Sequence, residues 1–227
     1  MDSPACLVPA CPRVQTQSPS KKDRGEPHMS ATVDFFWEPG SPYTYLAATQ
    51  VEAVVGGAGG TVVWKPFLLG KVFEALGTKL PASVPAKAAY MFKDVARWAQ
   101  LYGVPLTMPK VFPVHSLAAS RAAIAAGQLG HSAAAARAIL GAYWGQGQDI
   151  SQVEVLSAAL NHAGLDGAAI LARAQEQSVK DQLKENTEEA LKRGVFGAPT
   201  MFVGDAMFWG NDRLDMVKLA LQGRIKH

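Results

Sequence analysis

The first strong apolar signal along the chain is Val33-Asp34-Phe35-Phe36-Trp37, a run of β-branched and aromatic residues that predicts a short buried strand. Glu38-Pro39-Gly40 breaks it, and Ser41-Pro42 opens a helix running through about Val55. Serine is favoured at the N-cap because its hydroxyl accepts a free backbone N–H. Proline is favoured at the first helical position because it has no N–H to leave unpaired. Four glycines and one alanine from Gly56 to Gly60 make a turn, and Thr61-Val62-Val63-Trp64 follows as a second strand. Strand, helix, strand is a βαβ opening.

A long helical stretch comes next. Met91, Val95, Trp98, Ala99 and Tyr102 share one face, Lys93, Asp94, Arg97 and Gln100 lie away from it, and Gly103-Val104-Pro105 stops it. Further helices are expected over 116–126, stopped by Gly127, and over 131–144, stopped by Gly145. Ser151 and Glu154 have the spacing of a capping box for a helix ending at Gly164, Asp166 caps another, and 178–193 closes the set at Gly194. Strands return as Thr200-Met201-Phe202-Val203 and Met207-Phe208-Trp209, flanking Gly204-Asp205-Ala206 as a hairpin, before a last helix near Asn211-Asp212. The order β-α-β, helices, β-β-α predicts an α/β, thioredoxin-like fold with a large all-helical insertion. Residues 29–70 and 194–227 would form the sheet domain, and 71–193 the insertion.

Residues 1–28 carry no helical or strand period, hold five of the 14 prolines and both cysteines, Cys6 and Cys11, and end in a polar run. They read as a leader outside the fold, without the apolar core of a secretory signal. Residues 29–227 then contain no cysteine, which excludes a disulfide framework, a thiolate nucleophile and a cysteine metal site there. This suits a cytoplasmic location. The 227 residues are 48% hydrophobic and 18% charged, a globular profile that excludes a disordered chain, a collagen and a coiled coil. No apolar run reaches the length of about 20 residues that a membrane span needs. A net charge of +3 is too small to point to nucleic acid.

Three segments carry candidate chemistry. Ser41 stands where a strand passes into a helix, at the positive end of the helix dipole. Related folds use that place for a Cys-X-X-Cys pair. Here it reads Ser41-Pro42-Tyr43-Thr44, so dithiol redox chemistry is excluded, and Ser41 is either a site residue or only a cap. In Val195-Phe196-Gly197-Ala198-Pro199-Thr200, a proline before a strand either ends a loop or sets the Ala198 backbone to pair with a peptide-like ligand. Trp209-Gly210-Asn211-Asp212-Arg213-Leu214 either caps the last helix or receives an α-amino acid end group at that helix N-terminus. The five histidines, at 28, 115, 131, 162 and 227, lack metal-ligand spacing, and Gly56–Gly60 lacks the ending of a phosphate loop. Trp98, Tyr102, Tyr143 and Trp144 read as core, and lysines such as Lys71 and Lys87 as surface by default.

Together these motifs resemble the 2-hydroxychromene-2-carboxylate isomerases and the related kappa-class glutathione transferases, in the DsbA-like branch of the thioredoxin superfamily. The matching pieces are Asp34-Phe35-Phe36, Ser41-Pro42-Tyr43, Lys65-Pro66-Phe67-Leu68-Leu69-Gly70, Pro85-Ala86-Lys87, Arg97-Trp98-Ala99, the 195–200 segment and Phe208 through Leu214. The resemblance runs from about Thr32 to the C-terminus. It implies glutathione as cofactor and Ser41 as the catalytic residue holding its sulfur. Ala198, beside a cis Pro199, would pair with the glutathione backbone, and Trp209, Gly210, Asn211 and Asp212 would hold the γ-glutamyl end. Lys87 would lie near glutathione or the substrate, and Lys71 near a substrate-binding lysine. The chain departs from the family at Thr78, where many relatives carry Asn, and at Pro81-Ala82, where some carry the Asn-Arg pair used against a substrate carboxylate. A homodimer acting on a small aromatic substrate is implied by the same resemblance.

The implied chemistry is cis–trans isomerisation of a ring-opened hydroxybenzylidene pyruvate. Adding a thiolate makes the carbon–carbon double bond single, rotation follows, and elimination restores it. A free thiol ionises near about 8.5, so neutral pH leaves few per cent as thiolate unless a hydroxyl and a helix N-terminus lower that value. Phe67, Trp209 and Phe112 would wall a bicyclic aromatic or serve only as core. Two other functions fit the same motifs: a kappa-like transferase that consumes glutathione, and a non-catalytic DsbA-like module that binds extended peptides along the Ala198-Pro199 edge.

Overall fold

Alternation along β1 (Thr32–Trp37) divides the interior into two apolar clusters. Val33, Phe35 and Trp37 enter one, and Phe36 enters the other. The computed structural model describes residues 31–225. The leader expected over 1–28, with Cys6 and Cys11, lies outside the described residues, as do His28 and His227. β1 pairs in parallel with β2 (Thr61–Pro66) and antiparallel with β3 (Thr200–Val203). β3 in turn pairs antiparallel with β4 (Ala206–Trp209), so the sheet order is β2-β1-β3-β4.

The side chains of β3 divide in the same way, Met201 and Val203 to the first cluster and Phe202 to the second. On the first face lie α1 (Pro42–Gly56), α9 (Leu214–Leu221) and the helical block between β2 and β3. On the second, α2 (Leu69–Ala75) and α8 (Gln177–Lys192) bring Leu69, Val72 and Ala190 against Phe36 and Phe202. Charges close this face. The Arg193 guanidinium is 2.6 Å from Asp34 and 3.2 Å from Glu189, and Lys65 Nζ is 2.7 Å from Glu189 and 3.4 Å from Asp34. Arg193 also covers the Phe202 ring at 3.7 Å from its centroid, so β1, β2 and the end of α8 are joined by one part-buried ring of charges.

The helical block holds α3 (Pro85–Tyr102), α4 (Leu117–Gln128), α5 (Ser132–Leu140), α6 (Val153–His162) and α7 (Gly167–Arg173). α3 stops at Gly103 and turns Val95 and Ala99 onto Leu46 of α1, with Met91, Trp98 and Tyr102 packed around them, the face its periodicity predicts. Asp166 caps α7 by accepting from the Ala169 N–H at 2.9 Å. Among the described residues, no helix is long and apolar enough to cross a membrane and no group of acidic, histidine or cysteine side chains could hold a metal.

Three local expectations fail, each because a competing contact outweighs the local preference. Gly127 does not stop α4: the helix continues to Gln128, and Gly127 instead lets the Ser132 hydroxyl approach to 2.8 Å from where a Cβ would stand. Ser151 and Glu154 form no capping box, because Asp149 takes both the Ser151 N–H and hydroxyl. The helix expected over 131–144 widens into a π-helical turn, Gly141–Gly145. Its two aromatics are anchored elsewhere: Tyr143 donates to the Val111 carbonyl and Trp144 Nε1 to the Pro39 carbonyl.

Candidate active site

Where β1 ends, Glu38-Pro39-Gly40-Ser41 turns the chain into α1. The Ser41 N–H donates to the Glu38 carbonyl at 3.1 Å, and Ser41 takes the N-cap, its Oγ accepting from the Thr44 N–H at 3.3 Å. Pro42 follows at the first helical position. The same hydroxyl donates to the Ala198 carbonyl at 2.8 Å, across 157 residues of sequence. The Ala198–Pro199 peptide is cis. The two segments meet because β1 and β3 are paired neighbours and each leads to the same end of the sheet.

The third segment is joined to the second. The Gly210 N–H donates to the Pro199 carbonyl at 3.0 Å, and Trp209 pairs with Thr200 across β3 and β4. The Trp209 indole lies against Gly197 and meets Phe196 edge-on at 4.8 Å, yet stays 51% exposed. Asn211 is buried, its carbonyl accepts from the Tyr102 hydroxyl at 3.3 Å, and its side-chain Nδ2 has no partner. Neither Asn211 nor Asp212 caps the last helix by its side chain; Asp212 is exposed and paired with Arg213 at 2.6 Å. Ser41, Ala198, Pro199, Trp209, Gly210 and Asn211 are thus joined in one chain of contacts, with exposed Asp212 beside it.

The expected substrate residues do not join it by any contact. Lys71 is exposed and paired with Glu74 at 2.7 Å, lining a groove of about 520 Å³ between α2, α4 and α8 that does not include Ser41. Thr78 is exposed beyond α2, and Lys87 is exposed on the first turn of α3. Phe67 is fully buried in the second cluster, so it is core and not a wall. Its backbone explains this: the Phe67 N–H is tied to the Trp37 carbonyl, which turns the ring inward onto Phe36. Phe112 is part-buried between Phe92 and Trp144, and Trp209 is the ring most open to solvent of the three.

Glu38, read from the sequence only as a strand breaker, is a fourth feature of the site. It is 8% exposed, and its Oε2 accepts from the Gly40 N–H at 2.8 Å. Burial pushes its carboxyl up to about 7, against the opposing effect of hydrogen bonds from Ser116 and Gly40. An acid directly after the buried Phe35-Phe36-Trp37 run, just before Pro-Gly, is the signal that marks it. Tyr43, next to Ser41 in α1, donates to Asp94 of α3 at 2.9 Å; burial foremost, with Asp94, raises its phenol well above the usual range.

The DSBA-like thioredoxin domain family matches residues 32–222. The 2-hydroxychromene-2-carboxylate isomerase of Pseudomonas putida is 34% identical over 197 residues, 85% of this chain and 95% of the relative. Glutathione S-transferase kappa 2 of Caenorhabditis elegans is 30% identical over 202 residues, 82% of this chain and 89% of the relative. A solved 2-hydroxychromene-2-carboxylate isomerase structure superposes with a TM-score of 0.74 at 31% identity, over 85% of this chain and 95% of that one. The chain belongs to the DSBA-like thioredoxin family and, within it, to the 2-hydroxychromene-2-carboxylate isomerase family.

Proposed function

We propose that this protein is a glutathione-dependent isomerase that interconverts 2-hydroxychromene-2-carboxylate and trans-o-hydroxybenzylidenepyruvate. The observation that carries this is the Ser41 hydroxyl, set at the N-terminus of α1 and 2.8 Å from the carbonyl that precedes cis Pro199. A hydroxyl there can donate to a thiolate but cannot form a disulfide with it. The site also fits a peptide-like, acidic ligand: the buried Asn211 Nδ2 is a donor without an acceptor, and the partly exposed Ala198 brings its carbonyl beside Ser41.

Bound there, glutathione would supply a thiolate that adds reversibly to the conjugated double bond, so that rotation can occur about a single bond. Ser41 has one proton to give, and in the free protein the Ala198 carbonyl takes it. Turning that proton toward a sulfur would free the same carbonyl to accept from the ligand's backbone, so one rotation prepares two contacts. The α1 N-terminus adds positive potential at the same place. For the substrate carboxylate, Lys87 is the better candidate of the two lysines, because Lys71 is held by Glu74. A homodimeric, cytoplasmic enzyme belongs to the same reading.

The test is thermal unfolding of the full chain with increasing reduced glutathione, followed by an absorbance assay on the chromene carboxylate. A saturable rise in Tm and turnover that leaves glutathione unconsumed are expected. No rise at millimolar glutathione would overturn the assignment, and consumption of glutathione would make the protein a transferase.

Asn211→Ala separates binding from stability. Its Nδ2 has no partner to lose, so the free protein should melt at or above the wild-type temperature. Glutathione affinity should fall by about 10-fold or more, the loss of a hydrogen bond worth about 1.5 kcal/mol. Calorimetry on the variant checks both; unchanged affinity would remove Asn211 from the site.

A further inference from the structure

Glu38 is a buried acid that the reading above leaves unused. Its carboxylate oxygen takes the Gly40 N–H, its backbone carbonyl takes the Ser41 N–H, and its surroundings hold the rest of the turn. Ser116, just before α4, draws its carboxyl back down against the effect of burial, and Trp144 of the π-helical turn grips the adjacent Pro39 carbonyl at 2.9 Å. A Cβ on Gly40 would come within 3.0 Å of the carboxylate, so carboxyl and turn are in direct contact. The titratable groups facing it are few. Tyr143 lies close enough for Glu38 to raise its phenol further, after the larger effect of burial, and Asp149 stands beyond Tyr143. His115 beside Ser116 is exposed. Among the described residues, no cation is paired with Glu38.

We propose that Glu38 is a positioning residue for Ser41: its carboxyl fixes the turn that delivers the hydroxyl, and its charge opposes a thiolate there. The second part follows from sign alone. Both a thiolate near Ser41 and an ionised Glu38 are negative, they share a poorly solvated turn, and no paired cation intervenes, so each makes the other harder to form. This inference rests on the glutathione assignment, but its experiment fails differently.

Bound glutathione is titrated by its ultraviolet thiolate absorbance in wild type and Glu38→Gln. The variant keeps an acceptor for the Gly40 N–H and removes the charge. Its thiolate midpoint should lie at lower pH by about half a pH unit or more, with a sharper single-site curve. Glu38→Ala, which removes the acceptor as well, should lose about 10-fold or more in kcat with KM for glutathione little changed. Glu38→Gln should restore kcat.

The free protein supplies an independent reading. The folded state keeps a proton on Glu38 that the unfolded chain releases from about 4.5, so stability should fall as pH rises from about 4.5 to about 7. Glu38→Gln should flatten that window. If the Glu38 variants fold poorly, Ser116→Ala serves instead. Loss of its hydroxyl keeps Glu38 protonated to higher pH and should shift the thiolate midpoint the same way by less. A thiolate midpoint unmoved in Glu38→Gln and in Ser116→Ala would overturn the charge effect. A Glu38→Ala enzyme as fast as wild type would overturn the positioning. Failure of wild type to bind glutathione would instead sink the cofactor assignment.

Discussion

Ser41→Ala is expected to slow glutathione-dependent isomerisation by about 100-fold or more, the usual result of removing one preorganised donor from a developing anion. The fold should survive it. As an N-cap, Ser41 holds the Thr44 N–H at 3.3 Å, a long bond, and losing such a cap costs about 1 kcal/mol. The hydroxyl also leaves the Ala198 carbonyl without its donor, but a ligand's backbone N–H would fill that place in the complex. The loss should therefore appear in kcat more than in glutathione affinity. Rates at saturating glutathione, set beside a denaturant melt, separate the two. Wild-type turnover in the variant would reduce Ser41 to a helix cap.

Gly197→Ala is expected to weaken glutathione binding by about 10-fold or more, the range for truncating or displacing an anchoring aromatic. The Trp209 indole lies against Gly197 so closely that a Cβ would press on Nε1 and stand 3.0 Å from Cε2. Backbone on one side cannot yield, so the ring must swing. Its half-exposed position allows this without loss of core, and Tm should change little. Calorimetry with reduced glutathione, and the emission of the tryptophans, read the two effects. Unchanged affinity with a displaced ring would remove Trp209 from the binding surface.

The elements legible from the sequence are those decided by local chemistry. Ser41 with Pro42, Gly103 after Tyr102 and Asp166 before Gly167 each satisfy orphan groups within a few residues, and each stands where its pattern predicts. That β1 is a buried strand was equally plain, although its division of two clusters required knowing both neighbours. Gly127 and the π-helical turn were not legible, because Ser132, Val111 and Pro39 reach them from outside their own helices, whereas the Ser151–Glu154 pair lost to a closer acceptor, Asp149, two residues before Ser151. The candidate site divides the same way. Ser41, Ala198–Pro199 and the 209–212 segment carried turn and cap signals of their own. Whether Phe67 is a wall or core stayed open because nothing near it in sequence reveals Phe36 behind it. Lys71 sits one helical turn before Glu74, its partner, a pairing visible at i,i+3 spacing but outweighed by the family's lysine.

The central position of β1 has a consequence for synthesis. Its partner β2 emerges shortly afterward, but its other edge waits for β3, from which most of the chain separates it: Val33 pairs with Val203. At ribosomal speed the interval is roughly ten to thirty seconds. During it, Val33 through Trp37, four of its five residues apolar, presents a strand edge with no intramolecular partner, the kind of edge that recruits other chains. The nascent βαβ half is thus a natural client for a chaperone. Production of the protein should be limited less by its native stability than by how well that early edge is shielded until β3 arrives.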